Sequence, residues 1–178
     1  MSNTTHECHT HTLYPHPHTP YTQVVVSVST NDVIRQVMPD FVVRHTPGAP
    51  KPDRITSVMN QLLQQRSLYP LFPPGEGSQL EVTQQDKLAL AVTPDVMILG
   101  SKLNRMAKMV QNTLCVIPGR LAVGKTGGTY AKLAINPYKE SAVSMHAAAK
   151  SGADSLTRMK EAVSHDVAQR TKVSVVRI

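Results

Sequence analysis

The run Val92-Thr93-Pro94-Asp95-Val96-Met97-Ile98-Leu99-Gly100-Ser101 sets the architecture. Pro94 and Asp95 punctuate the chain, and residues 96–99 form a short, wholly apolar strand of the buried kind. Gly100-Ser101 then reads as a strand-to-helix turn. Leu103, Met106, Ala107 and Val110 follow at helical spacing and predict an amphipathic helix. Residues 114–117 give the next strand, closed by Pro118-Gly119.

The same alternation continues upstream. Residues 23–28 contain Val24-Val25-Val26 and Val28 and predict a buried strand. Thr30-Asn31-Asp32 are cap-type residues, and Val33, Ile34 and Val37 give a short helical stripe that Pro39 ends. Residues 45–52 read as a Pro/Gly loop. The clearest helix starts at Asp53, with Ile55, Val58, Met59, Leu62 and Leu63 on one face. It should stop near Arg66, because Tyr69-Pro70 and Pro73-Pro74-Gly75 cannot continue it. Residues 70–80 read as a loop and 87–92 as a weakly alternating strand. Downstream, residues 120–128 predict a glycine-rich hairpin, and 129–135 and 172–178 two more strands. Strands alternating with helices place the chain in the α/β class.

Two segments differ in texture. Residues 1–22 crowd His6, His9, His11, His16 and His18 with Pro15, Pro17 and Pro20, which predicts an extended arm. Residues 139–171 read as a low-complexity insertion, in which Leu156, Met159, Val163 and Val167 could line only a thin helix face. The expected division is an arm at 1–22 and a domain at 23–178.

Composition narrows the function classes. The chain has 178 residues, 40% of them hydrophobic and 17% charged, enough for a packed core. Two cysteines, Cys8 and Cys115, cannot build a disulfide framework or a four-cysteine zinc site. No apolar run approaches bilayer length and no leader pattern is visible, so the expectation is a soluble protein of a reducing compartment with no membrane partner. Charge is uneven. Residues 1–50 carry a net of −1, and residues 51–178 hold 17 cations against 9 anions. A basic part of this kind suits nucleic acid or an acidic protein.

Gly119, Gly124, Lys125 and Thr126 fit the P-loop pattern, but Gly127-Gly128 and the strand-like 129–135 follow where a P-loop opens a helix. A hairpin loop explains them better. His6, Cys8, His9, His11, His16 and His18 are ligand types, yet a metal site needs donors held by ordered elements. His45, His146 and His165 have no nucleophile nearby in sequence, and no nucleophile-elbow motif is present. Lys102, Arg105 and Lys108 recur at intervals of three on the expected helix, where they could face an acidic partner or DNA; a solvated helix face is the plainer account.

An ordered set of segments carries a resemblance. It comprises Gln64-Gln65-Arg66-Ser67-Leu68-Tyr69-Pro70-Leu71-Phe72-Pro73-Pro74, then Val92 to Leu99, then Pro118-Gly119-Arg120-Leu121 with Gly127-Gly128-Thr129, and last Val175-Val176-Arg177-Ile178. In this order they resemble the C-terminal region of the B subunits of DNA polymerase alpha–primase, a family of non-catalytic accessory subunits. Weaker likeness runs through Leu13-Tyr14-Pro15 and Ser29-Thr30-Asn31-Asp32, so the resemblance covers about residues 13–178.

The resemblance implies the C-terminal part of an inactive calcineurin-like phosphoesterase domain, a two-sheet αββα sandwich. It also implies that the chain is a fragment or truncated form of a longer subunit. Active relatives of that fold bind two metals, and one of their motifs is Gly-His-x-His after a Pro-Asp strand. The matching stretch here is Gly100-Ser101-Lys102-Leu103, with both histidines replaced. An earlier histidine ligand would fall in residues 27–29, which contain none. Two-metal cleavage clamps both the attacking and the leaving oxygen. The expectation is therefore no catalytic residue, no metal and no cofactor. The implied role is nuclear, in initiation of DNA replication. The implied partners are the C-terminal domain of the polymerase alpha catalytic subunit and the primase subunits, with DNA a further contact. Two other classes stay open: a nonspecific nucleic-acid-binding protein, and a residual metal-dependent phosphoesterase.

Overall fold

The computed structural model describes residues 8–13, 24–41, 53–137 and 166–178. Five strands, β1 (Cys8–Leu13), β2 (Val24–Ser29), β3 (Val96–Leu99), β4 (Met106–Val110) and β5 (Thr113–Ile117), form one sheet in the order β1-β2-β3-β5-β4. β2, β3 and β5 are parallel, with Val26 opposite Val96 and Val96 opposite Leu114, and the outer strands are antiparallel. Parallel strands are covered on both faces, which is why β3 and β5 read as apolar runs rather than alternating ones, while β2 carries Ser27 and Ser29 among its valines.

The connection from β2 to β3 supplies one covering layer. It contains helices α1 (Val33–Val37) and α2 (Arg54–Gln64). Val33, Ile34 and Val37, with Val58, Met59, Leu62 and Leu63, pack on Met97, Leu99, Val110, Cys115 and Ile117 of the sheet. α2 starts where the sequence places it: the Asp53 carboxylate accepts the Ile55 N–H at 3.2 Å and the Thr56 hydroxyl at 2.7 Å. It ends in a reverse turn. Arg66 N–H donates to Leu63 O and Ser67 N–H to Leu62 O, with Arg66 at φ 50. The turn delivers Leu68 and Tyr69 into the core, and the Tyr69 hydroxyl accepts the Gly75 N–H at 2.9 Å.

The opposite face of the sheet meets a second one. β6 (Ala122–Val123) and β7 (Thr126–Gly127) make the small hairpin expected at 120–128, with Gly124 at φ 63 in its turn. β8 (Thr129–Ile135) pairs antiparallel with β9 (Thr171–Arg177), which the short helix α3 (Val167–Arg170) precedes. Ala131, Leu133, Val173 and Ala168 pack against Val96, Leu114 and Val116. The described residues thus form three layers: helices, a five-stranded sheet and a two-stranded sheet.

The structure corrects two expectations. The segment expected as a strand at 87–92 is mostly not one. A 3₁₀ helix spans Val82–Leu88, and only Ala89 makes a bridge, to Ser67. Its strand-like stretch is short because it pairs only with the turn after α2, through Leu68 N–H to Leu88 O and Leu90 N–H to Arg66 O. The helix expected from Leu103 to Val110 is also absent. Met106 and Val110 are four residues apart, a spacing that also puts them on one face of a strand. Pairing with β5 across the turn at Gln111-Asn112 settles the choice, with Gln111 at φ 53. Lys102, Arg105 and Lys108 therefore do not share a helix face.

Cys8–Leu13, inside the expected arm, pairs with β2; the prolines that argue against a ladder, Pro15, Pro17 and Pro20, all follow it. The loop expected at 45–52, and Leu156, Met159 and Val163 of the expected insertion, lie outside the described residues, whereas Val167 is buried on α3.

Candidate functional site

In an open sheet with parallel strands, ligands bind beyond the carboxyl ends of those strands. Here that edge is built by the loops after β2 and β3. β2 ends in Ser29, and β3 runs into Gly100, whose N–H donates to Ser29 O at 2.8 Å. Gly100 suits this approach, because a Cβ would lie 3.1 Å from the Thr30 carbonyl oxygen, a tight contact. The close contact brings the two loops together.

Asp32 then closes the edge. Its Oδ1 accepts the Ser101 hydroxyl at 2.6 Å, and its Oδ2 accepts the Lys102 N–H at 2.9 Å. Ser101 Oγ in turn accepts the Leu103 N–H at 3.1 Å. Arg35 stands one turn on, with Nη1 4.0 Å from Asp32 Oδ2. Ser101 is buried, so these bonds are partly shielded from water. Both carboxylate oxygens and the Ser101 hydroxyl are thereby committed to backbone and side-chain partners of the loop itself. Nearby, Ser27 and Ser29 are buried on the helix-facing side of β2, and Ser27 Oγ has no hydrogen-bond partner among the described residues.

A second aspartate serves the other end of the same strands. Asp95 Oδ2 accepts the Val25 N–H at 2.8 Å, Asp95 N–H donates to Val25 O, and Leu114 N–H donates to Asp95 O. The Thr113 hydroxyl donates to Pro94 O at 2.7 Å. The Pro-Asp pair that punctuates the sequence is thus the clasp that starts β2, β3 and β5 in register.

The other motifs separate in space. Gly119, Gly124, Lys125 and Thr126 lie in and before the β6–β7 hairpin, and the Thr126 hydroxyl donates to Val123 O at 2.8 Å. A strand follows them, so the N–H groups that would cradle a phosphate at a helix start are not gathered there. Lys108, on β4, reaches Asp53 at the start of α2, and that ion pair with the Thr56 hydroxyl holds the Asp53 carboxyl below the usual carboxylate range. Burial pushes the Cys115 thiol up to about 12. The side chains of Cys8, His6, His9, His11, His16 and His18, and those of His45, His146 and His165, lie outside the described residues. Among the described residues no group of three His, Cys, Asp or Glu side chains is gathered, and no helix is long and apolar enough to cross a membrane.

Sequence reasoning missed the Asp32–Ser101 contact. Asp32 reads as a helix cap, yet its side chain makes no cap hydrogen bond to α1. The available signal was topological: Asp after one parallel strand and Gly-Ser after the next must meet if the strands are neighbours.

Residues 3–108 match the family model for the B subunit of DNA polymerases alpha and epsilon. Over 82 residues the chain is 43% identical to the DNA polymerase alpha B subunit of Mus musculus, a match covering 46% of this chain and 14% of that protein. The protein of the same name from Schizosaccharomyces pombe is 33% identical over 122 residues, covering 65% of this chain and 21% of that one. That of Drosophila melanogaster is 30% identical over 117 residues, covering 63% and 18%. The chain therefore spans between 14% and 21% of the length of these relatives. The matched region runs from before β1 into β4 and contains α1, α2, the Asp95 clasp and the Asp32–Ser101 edge, which together form the helix-covered half of the structure. The chain belongs to the family of DNA polymerase alpha/epsilon B subunits.

Proposed function

We propose that this chain works as a non-catalytic, scaffolding part of DNA polymerase alpha–primase, in the nucleus, during initiation of DNA replication. Its partner is the C-terminal domain of the catalytic subunit, and it reaches the primase subunits through the complex. Its mixed α/β layers correspond in this reading to the C-terminal portion of a calcineurin-like phosphoesterase domain, which takes in β1 as well as residues 23–178, with an insertion between β8 and α3.

One observation carries the inactive, binding-only reading. At the carboxyl edge of β2 and β3, where an active enzyme of that fold would hold metal ligands, Ser101, Lys102 and Asp32 bond to one another. A catalytic carboxylate must be free to bind metal or move a proton. Asp32 instead spends both oxygens on holding two loops together, and Lys102 brings a positive charge to the same edge.

Co-expression with the C-terminal domain of a polymerase alpha catalytic subunit tests the scaffold. The two should co-purify through size exclusion at physiological salt; a catalytic domain that elutes alone would refute the partner assignment. Incubation with manganese and a labelled single strand or a nucleotide ester should release no product. Release that a buried-core control variant abolishes would refute the inactive reading.

A further inference from the structure

The outward side of the β8–β9 sheet is not used by the core. Along β8, Ala131 and Leu133 face the five-stranded sheet, so Tyr130, Lys132 and Ala134 face out. On β9 the outward residues opposite them are Val176, Ser174 and Lys172. Lys132 pairs with Ser174 and Ala134 with Lys172, so the two lysines are diagonal neighbours, with Cβ atoms roughly 7 Å apart. Tyr130 is 39% exposed and stands two residues along the strand from Lys132 on the same face.

The surrounding charge has one sign. Residues 118–137 and 166–178 hold Arg120, Lys125, Lys132, Arg170, Lys172 and Arg177 against a single acid, Asp166. Across the molecule, residues 53–99 hold Asp53, Glu76, Glu81, Asp86 and Asp95 against Arg54, Arg66 and Lys87. Residues 53–99 thus carry a slight acidic excess, whereas the β8–β9 region carries a basic one. Lys132 and Lys172 make no ion pair among the described residues.

We infer that this face binds single-stranded nucleic acid, with Lys132 and Lys172 on successive phosphates and the Tyr130 ring against a base. A sheet face with an aromatic ring beside cations is one way proteins bind single-stranded nucleic acid. An acidic peptide would use the lysines but gain nothing specific from the ring. The site goes beyond the scaffolding role proposed above and does not depend on it.

The test uses the full chain and fluorescein-labelled oligo(dT) of 20 nucleotides in 50 mM salt, followed by anisotropy. The wild-type chain should bind, and Lys132→Glu/Lys172→Glu should weaken binding at least tenfold and flatten the salt dependence by about 1.4 in log–log slope. Lys132→Gln/Lys172→Gln, a milder pair, should move in the same direction if the double reversal proves unstable by thermal melting. Tyr130→Ala should weaken oligo(dT) binding about tenfold and leave binding of poly-L-glutamate, the acidic-peptide probe, unchanged. Lys87→Glu, on the opposite layer, should bind as wild type does. No binding by the wild-type chain, unaltered binding by a folded double variant, or poly-L-glutamate binding as tight as oligo(dT) with no effect of Tyr130→Ala would each overturn the assignment.

Discussion

The Asp32 carboxylate accepts the Ser101 hydroxyl at 2.6 Å and the Lys102 N–H at 2.9 Å, tying the loop after β2 to the loop after β3. The two strands are already neighbours by backbone pairing, so the contact fixes their loops rather than their register. Hydrogen bonds to a charged acceptor are worth about 1.5–3 kcal/mol. Asp32→Ala should therefore destabilise the chain by about 2 kcal/mol, read as a lower urea midpoint with an unchanged slope. Ser101→Ala should cost about 1 kcal/mol, and the double variant should cost less than the sum of the two. Full additivity in that cycle would show that the contact contributes nothing.

Asp95 does the corresponding work at the start of β2, where its carboxylate takes the Val25 N–H at 2.8 Å. Asp95→Ala leaves that N–H without an acceptor and should cost about 1–2 kcal/mol. Asp95 and Asp32 serve opposite ends of β2 and share no partner, so their effects should add to within about 0.5 kcal/mol. A coupling well above that in urea unfolding would mean that the two ends of the sheet open together.

Arg66 sits at φ 50, the left-handed region that suits glycine, and closes the turn that ends α2. Its side chain gains only a long, exposed contact, 3.4 Å from Nη1 to Ala91 O. Relief of backbone strain should outweigh that loss, so Arg66→Gly should stabilise the chain by about 0.5–1 kcal/mol. A branched residue should do the reverse, and Arg66→Val should lower the melting temperature. Equal melting of all three chains would mean that the turn is not populated as described.

These sites show which parts of the fold the sequence exposes. Strands β3 and β5 and helix α2 were legible because burial dictates their patterns: unbroken apolar runs for strands covered twice, one stripe for a helix covered once; β2 was legible from its run of β-branched valines. The Asp53 cap was legible because it acts within four residues of itself. β4 was not, because Met106 and Val110 satisfy both periodicities and only the partner strand discriminates. Asp32–Ser101 was not either, since 69 residues separate the partners and each also fits a local role. At the candidate site the family resemblance led to the expectation that Ser101 and Leu103 stand where active relatives have histidines, and the structure added which groups Ser101 bonds. The basic face at Lys132 and Lys172 needed the β8–β9 register, which no local pattern encodes.

Asp53 links stability to pH. Its carboxyl lies below the usual range because Lys108 and the Thr56 hydroxyl donate to it. A lowered folded-state pKa means stability that is present above the unfolded value, about 3.9, and is lost as pH falls through the folded one. The pair is substantially exposed, so salt should reduce its share. Lys108→Ala should therefore narrow the stability difference between pH 6 and pH 3, measured by urea unfolding, with a smaller change in 0.5 M salt. Asp53→Ala should cost about 1 kcal/mol at pH 6, since it also removes the cap of α2. An identical pH dependence in wild type and Lys108→Ala would refute the link.

Cys115 lies fully buried in the centre of β5, packed in the core between the sheet and α2. Burial pushes its thiol up to about 12, so at pH 8 almost none of it is the reactive thiolate. In a Cys8→Ser chain, where Cys115 is the one remaining thiol, a disulfide reagent at pH 8 should find nothing to modify until denaturant is added, and then one equivalent. The rate of modification at low denaturant should report opening of the core. Cys115→Ser would place a hydroxyl among apolar neighbours in that core and should cost about 1–3 kcal/mol, whereas Cys115→Ala, which leaves a small cavity and no polar group, should cost less. Ready modification of the native Cys8→Ser chain, or a serine tolerated better than alanine, would show that the space around β5 admits water.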